Sequence, residues 1–200
     1  GEDRENISVW GLSDARLFAH ARATLADLRE AGTPFNLTIL TMDTHEPAGV
    51  FPSCGAADEV PMATALKCSG RAVAGFLEHL KDAGYLDDTV VVLMGDHLKN
   101  TADGGDFGPV LADLTGRTIF FRAWSPDGVR FGRDGADQLS VLPTVLDLLG
   151  FTLPDGRAGL GVSFASVHDL SGTALALPSG EYQTLMEAPS SAIYQEFWQS

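Results

Sequence analysis

Asp88-Thr89-Val90-Val91-Val92-Leu93-Met94-Gly95-Asp96-His97-Leu98-Lys99-Asn100 decides how the remainder of the chain is read. Its first part, Asp88 to Met94, is a continuous apolar run rich in β-branched residues. That pattern suits a strand in a parallel sheet covered on both faces. The strand then breaks at Gly95 into a polar cluster carrying an acid, a histidine and a lysine.

Outward from this strand the periodicity alternates between helix and strand. Upstream, Met62 to Ala83 reads as a helix with Leu66, Val73, Phe76, Leu77 and Leu80 on one face, stopped by Gly84. Before it, Phe35 to Met42 has the length of a strand, and residues 43 to 60 form a loop rich in Pro, Gly and Asp. Leu12 to Ala31 reads as an amphipathic helix through Phe18, Ala21, Leu25 and Leu28, with Ser13 to cap it and Gly32 and Pro34 to end it. Downstream, Thr118 to Trp124 reads as a strand, and Leu139 to Leu149 as a short helix ended by Gly150. The last fifty residues read as loop, with a short helix near Ser190 to Trp198. This order describes an α/β domain, with helices packed on a mostly parallel sheet. No repeat, low-complexity tract or linker divides the 200 residues, so they read as one domain.

Ligands in open α/β sheets gather beyond the carboxyl ends of the strands. Two strands here run into polar clusters of the right kind: Asp43-Thr44-His45-Glu46-Pro47 and Gly95-Asp96-His97-Leu98-Lys99-Asn100. The two clusters are expected to meet on one edge of the sheet. Asp96 and His97 are the metal candidates, because a carboxylate oxygen and an imidazole nitrogen suit Mn²⁺ or Zn²⁺. Two ligands do not make a site, and a hydrogen-bonded loop pair is the simpler reading of these two residues alone. His45 can contact a phosphate oxygen or protonate a leaving group, with Asp43 to orient it; standing alone it is equally a loop histidine bonded to backbone. His20 and His79 sit in helices with no acidic cluster and read as surface or packing residues, His168 lies in a weakly structured stretch and is assigned no role, and Trp124 and Trp198 read as packing residues. Trp10 reads so too, although it is placed to line a groove.

The net charge of −14, from 27 acids against 13 Lys and Arg, disfavours nucleic acid as a partner. An anionic substrate needs a metal ion or a local basic spot to reverse that field. No apolar run reaches the ~20 residues that span a bilayer. The chain opens Gly1-Glu2-Asp3 without a methionine, which reads as a truncated edge or a processed terminus. Cys54, in a turn-rich stretch, and Cys68, on a helix, are either two buried thiols or a disulfide closing a loop of about 15 residues. Tethering a loop to a helix favours the disulfide and an oxidising compartment. Gly-x-Ser-x-Gly, P-loop and Gly-x-Gly-x-x-Gly motifs are missing, as is the arylsulfatase nucleophile run.

The order of motifs resembles the phosphoglycerol transferase I family. The resemblance is carried by Asp43-Thr44-His45-Glu46-Pro47-Ala48-Gly49, Pro52-Ser53-Cys54 and Ala65-Leu66-Lys67-Cys68-Ser69. It continues through Gly95-Asp96-His97-Leu98, Asn100-Thr101-Ala102, Leu142 to Gly150, and Gly159-Leu160-Gly161-Val162-Ser163. It runs over roughly residues 8 to 166, and lipoteichoic acid synthases are more distant relatives. The resemblance implies the C-terminal part of one sulfatase-like catalytic domain with the alkaline phosphatase fold. It implies one divalent metal, Mn²⁺ first and Zn²⁺ or Mg²⁺ otherwise, on Asp96 and His97, and a phosphoglycerol contact at His45. Asp43, Lys99 and Asn100 are the further substrate-binding residues expected, in a run slightly shorter than the family's. Cys54 and Cys68 match a pair disulfide-bonded in the periplasm.

The donor implied is a phosphatidylglycerol-type lipid and the acceptor a periplasmic glucan or water. The parent protein would be anchored in the inner membrane of the cell envelope. The threonine nucleophile and a glutamate ligand belong to the N-terminal half of the family's domain, which would precede Gly1 and is itself an expected partner. Two other readings remain open: a catalytically incomplete module that binds anionic glycans or lipid headgroups, and a sulfatase or phosphonate-hydrolase relative.

Overall fold

The computed structural model describes residues 4–46, 50–55, 61–99, 107–132, 135–165 and 167–188. The chain folds as two compact units. One is built from residues up to Tyr85 together with Met94–Phe121, the other from Leu86–Leu93 together with residues from Arg122 onward.

The first unit opens with a small hairpin, β1 (Ile7–Ser8) and β2 (Gly11–Leu12), pairing Ile7 with Leu12 and Ser8 with Gly11. Trp10 stands at its tip. Gly11 there has φ +121°, a backbone that side chains other than hydrogen resist. Helix α1 (Asp14–Glu30) starts where Ser13 accepts the Arg16 N–H, as the sequence leads one to expect. It buries Phe18, Ala21 and Leu25. Helix α2 (Pro61–Asp82) packs against it, with Phe18 and Phe76 ring centroids 4.7 Å apart. The inward face of α2 is Met62, Ala65, Ser69, Phe76 and Leu80, at three-, four- and seven-residue spacings. Leu66, expected on that face, is instead 47% exposed, at the edge of the face four residues after Met62 and three before Ser69. Arg29 closes the far end by stacking 4.3 Å over Tyr85 and donating to the Ala83 carbonyl. His79 lies between the Phe76 and Tyr85 rings, a packing role.

Phe35 to Met42, expected as a strand, runs without helix and joins no ladder among the described residues. Its exposure still alternates, Phe35, Leu37 and Ile39 half-buried and Asn36, Thr38 and Leu40 exposed. The period of a strand is therefore present without a neighbour to pair with. The turn at Pro52–Cys54 is tied to α2 by a Cys54–Cys68 disulfide with Cα atoms 5.4 Å apart. That decides between the two readings of the cysteines.

Strand β3 (Val91–Met94) pairs with β4 (Phe121–Trp124). The Gly95 N–H, just after β3, donates to the Phe120 carbonyl, just before β4, at 2.9 Å. The end of one strand therefore meets the start of the other. The five-residue helix α3 (Gly108–Ala112) lies between them in sequence. The Thr118 end of the expected strand stays outside the ladder.

The second unit is organised around helix α4 (Val141–Leu148), which a turn at Gln138–Ser140 introduces. Pro143 is accommodated in its first turn, where no intrahelical N–H is needed. The hairpin β5 (Arg157–Ala158) and β6 (Gly161–Val162) packs on α4. Thr144, fully buried, donates to the Ser140 carbonyl at 2.6 Å and accepts the Phe164 N–H at 3.1 Å. Ser163 donates to Asp147 at 2.6 Å. Helix α5 (Ser179–Glu187) was not expected, and the helix expected at 190–198 lies outside the described residues. Among the described residues no helix is long and apolar enough to cross a membrane.

Candidate functional site

The two acid–histidine clusters meet within the first unit. Lys99 Nζ stands 2.8 Å from Glu46 Oε2, an ion pair about a third exposed on each side. The segment after β3 is thereby pinned to the loop that carries His45. Arg117 donates from Nη1 to the Lys99 carbonyl at 2.9 Å, which fixes the backbone of Lys99 as well as its side chain.

His45 is held from two directions. Its Nδ1 lies 2.9 Å from the Glu46 carbonyl, and its ring sits 3.8 Å from the Trp10 ring, centroid to centroid. A carbonyl can only accept, so Nδ1 carries the hydrogen and Nε2 is the ring nitrogen left for chemistry. Trp10 was the residue least legible in advance. It reaches His45 because the β1–β2 hairpin presents it at the tip; the sequence offered it as a groove residue but did not indicate His45 as its partner.

Asp43 sits elsewhere than the sequence suggested. It is buried, 3% exposed, and shares no hydrogen bond with His45 among the described residues. Its Oδ2 instead accepts the Asp14 N–H at 3.1 Å, at the start of α1. Asp14 answers by accepting the Met42 N–H at 2.8 Å and the Asp43 N–H at 3.3 Å, and takes the Ser69 hydroxyl at 2.6 Å. Asp43 is thus a long-range cap of α1, compensating the free N–H groups and positive dipole of a helix start. Its role toward the site is to fix where the following residues, including His45, leave the protein interior. Burial pushes its pKa up from 3.8 to about 6, opposed by the Asp14 N–H bond and reinforced by the Asp14 charge.

Asp96 and His97 project from the end of β3, each about two thirds exposed. The Asp96 carboxylate accepts the His97 N–H at 2.9 Å, and His97 Nδ1 lies 2.8 Å from the Leu98 carbonyl. The same argument places a hydrogen on His97 Nδ1, and Nε2 is turned toward the Asp96 carboxylate. Nε2 and Asp96 Oδ2 are 3.4 Å apart. Two ligands about 2.1 Å from one ion, at angles between right and tetrahedral, stand roughly 3.0–3.4 Å apart. The pair therefore fits a divalent cation, although no group of three or more His, Cys, Asp or Glu side chains surrounds one point among the described residues. Asn100, the remaining predicted site residue, lies outside the described residues.

His97 also lines a pocket of about 340 Å³ with Leu98, Lys99, Leu111, Leu114 and Arg117 among its walls. A larger pocket of about 710 Å³, between the start of β3 and the end of α4, contains none of the predicted residues.

A phosphoglycerol transferase I of Xanthomonas euvesicatoria pv. vesicatoria (strain 85-10) is 36% identical over 167 residues, 74% of this chain and 23% of its own length. A phosphoglycerol transferase I of Escherichia coli O139:H28 is 33% identical over 178 residues, 81% of this chain and 22% of its own length. The chain thus spans less than a quarter of either relative. The crystal structure of the lipoteichoic acid synthase LtaP from Listeria monocytogenes matches with a TM-score of 0.56 at 20% identity, over 83% of this chain and 44% of that one. A protein in the alkaline phosphatase superfamily from Vibrio parahaemolyticus gives 0.50 at 22% identity, over 72% of this chain and 35% of that one. These two likenesses show the α/β fold alone. The family model described as Sulfatase matches residues 2–151, a span that holds the α1–α2 pair, the disulfide and both histidine clusters, and the chain belongs to that family.

Proposed function

We propose that the chain supplies part of the active site of a metal-dependent phosphoglycerol transferase. Glycerophosphate would move from a phosphatidylglycerol-type donor to a glucan hydroxyl or to water. The observation that supports this reading is the Glu46–Lys99 pair, which brings the two acid–histidine clusters into contact. The names of the relatives, phosphoglycerol transferase I, supply the chemistry.

Asp96 and His97 would hold the divalent ion, with Mn²⁺ the first choice. Bound there, it supplies positive charge beside a phosphodiester in an otherwise acidic protein. Lys99 gives a phosphate oxygen a charged hydrogen bond. His45, with Nδ1 committed to the Glu46 carbonyl, offers Nε2 to a phosphate oxygen, or as the donor of a proton to a leaving alkoxide when the ring is protonated. The nucleophile, a threonine on this reading, belongs to the part of the family's domain that precedes these residues. The disulfide supports an oxidising location, consistent with the periplasmic face of the envelope.

The test is Mn²⁺ binding by calorimetry, together with diacylglycerol release from phosphatidylglycerol by this chain joined to the rest of the family's domain. Asp96→Ala should weaken Mn²⁺ binding at least about tenfold and abolish turnover. Undiminished Mn²⁺ affinity would remove the metal assignment. Metal binding without release of diacylglycerol would favour a binding module.

A further inference from the structure

We infer that the pocket beside His97 is a seat for the proximal acyl segment of an anionic lipid. This rests on the lipid-donor reading above and deepens it by assigning the part of the donor that does not react.

The lining of this pocket divides by chemistry. Leu98, Leu111, Leu114, Ile119 and Phe120 supply apolar walls. His97, Lys99 and Arg117 supply its polar side, and among the described residues no acid lines it. A pocket with this composition suits an amphiphile with a negative head and a hydrocarbon body. Leu98, Leu114 and Phe120 are 42%, 54% and 55% exposed, so the apolar wall presents a large part of its surface to solvent. Continuity with the reacting end is direct: the Leu98 side chain lines the pocket, and the Leu98 carbonyl holds His97 Nδ1. A phosphodiester at Asp96, His97 and Lys99 therefore leaves its glycerol ester carbons pointing at an apolar surface within the same unit. At about 340 Å³ the pocket sits at the small end of ligand sites, room for a short segment of chain rather than a whole lipid.

Each methylene moved from water to an apolar wall is worth about fourfold in affinity, so the acyl chain is what the test varies. Dihexanoyl-phosphatidylglycerol, below its micelle concentration, and glycerophosphoglycerol, which has the same phosphodiester and no acyl chain, are titrated calorimetrically into this chain with Mn²⁺ present. The acylated probe should bind at least about tenfold tighter. Leu114→Gln and Phe120→Gln, both at exposed positions, should erase that advantage and leave glycerophosphoglycerol binding unchanged. Equal affinity for the two probes, or an advantage that survives both substitutions, overturns the acyl seat and leaves the headgroup reading standing. Binding of neither probe overturns both. Concentration-dependent self-association that Leu114→Gln abolishes would show the patch to be covered by a second copy of the chain, and also overturns the inference.

Discussion

Lys99 Nζ lies 2.8 Å from Glu46 Oε2, and the two residues come from loops more than fifty positions apart in the chain. A pair this exposed contributes ~0–1 kcal/mol to folding. Its consequence is positional: Glu46 holds the ammonium beside the loop that carries His45.

With Lys99 bound to phosphate as proposed, Lys99→Met should barely change stability while lowering kcat/KM about 10- to 100-fold, the value of a charged hydrogen bond. Glu46→Gln should cost less, since the cation remains and only its placement loosens. The double variant should be no worse than Lys99→Met, because the two substitutions remove one arrangement. Additive losses in such a cycle would mean that Glu46 acts on the reaction independently of Lys99.

Asp43 offers a prediction in pH. Its folded pKa of about 6 lies above the ordinary 3.8, chiefly through burial. Between those values the native state keeps a proton that the unfolded chain has released. The Asp43 contribution to stability therefore falls as pH rises from about 4 to about 6, and stays lost above that. The whole shift corresponds to at most ~3 kcal/mol. Asp43→Asn keeps an oxygen to accept the Asp14 N–H and forgoes the buried charge. It should stabilise the protein by ~1–2 kcal/mol at pH 8, after loss of the favourable charge at the helix start, and by nothing at pH 4. Urea unfolding at both pH values would show it; a gain of equal size at both would point to packing rather than charge.

What the sequence made legible was local. Ser13 capped a helix start, Gly32 followed its end, and the apolar run Val91–Met94 became a strand ending in Asp96 and His97. What it concealed depended on distant partners. Asp43 and His45 look alike as polar residues after an apolar run, yet one turns inward to Asp14 and the other outward to Trp10. Period-two alternation from Phe35 to Ile39 announces a strand but not its neighbour, so the segment could be read as a strand and still join no ladder. The β5–β6 hairpin is only two pairs long, too short to show an alternation at all.

Gly161 tests the packing of the second unit. A Cβ at this position would overlap the Leu139 carbonyl and crowd the Ser140 N–H, both of them backbone that cannot swing aside. Gly161→Ala should cost at least about 3 kcal/mol, the upper end of overpacking penalties. Gly180→Ala is the control. It lies in α5 with nothing within 4 Å of the added carbon, and should be neutral or stabilising by up to ~1 kcal/mol. Similar melting temperatures for the two variants would show that α4 and the β5–β6 hairpin do not approach as closely as Gly161 requires.

The Cys54–Cys68 disulfide separates stability from site chemistry. Its partners are 14 positions apart, and closing a loop of that size removes chain entropy from the unfolded state worth ~3 kcal/mol. Cys54→Ser should lower stability by about that amount without reductant, and reduced wild-type protein should unfold at the same denaturant concentration as the variant. The loop so closed contains neither Asp96 nor His97, which stand at the end of β3. Mn²⁺ affinity at low temperature, where both forms remain folded, should then be the same in wild type and Cys54→Ser. A fall in metal affinity matching the fall in stability would mean that α2 and the end of β3 move as one element, and that Asp96 and His97 are held in place by the disulfide as well as by their own hydrogen bonds.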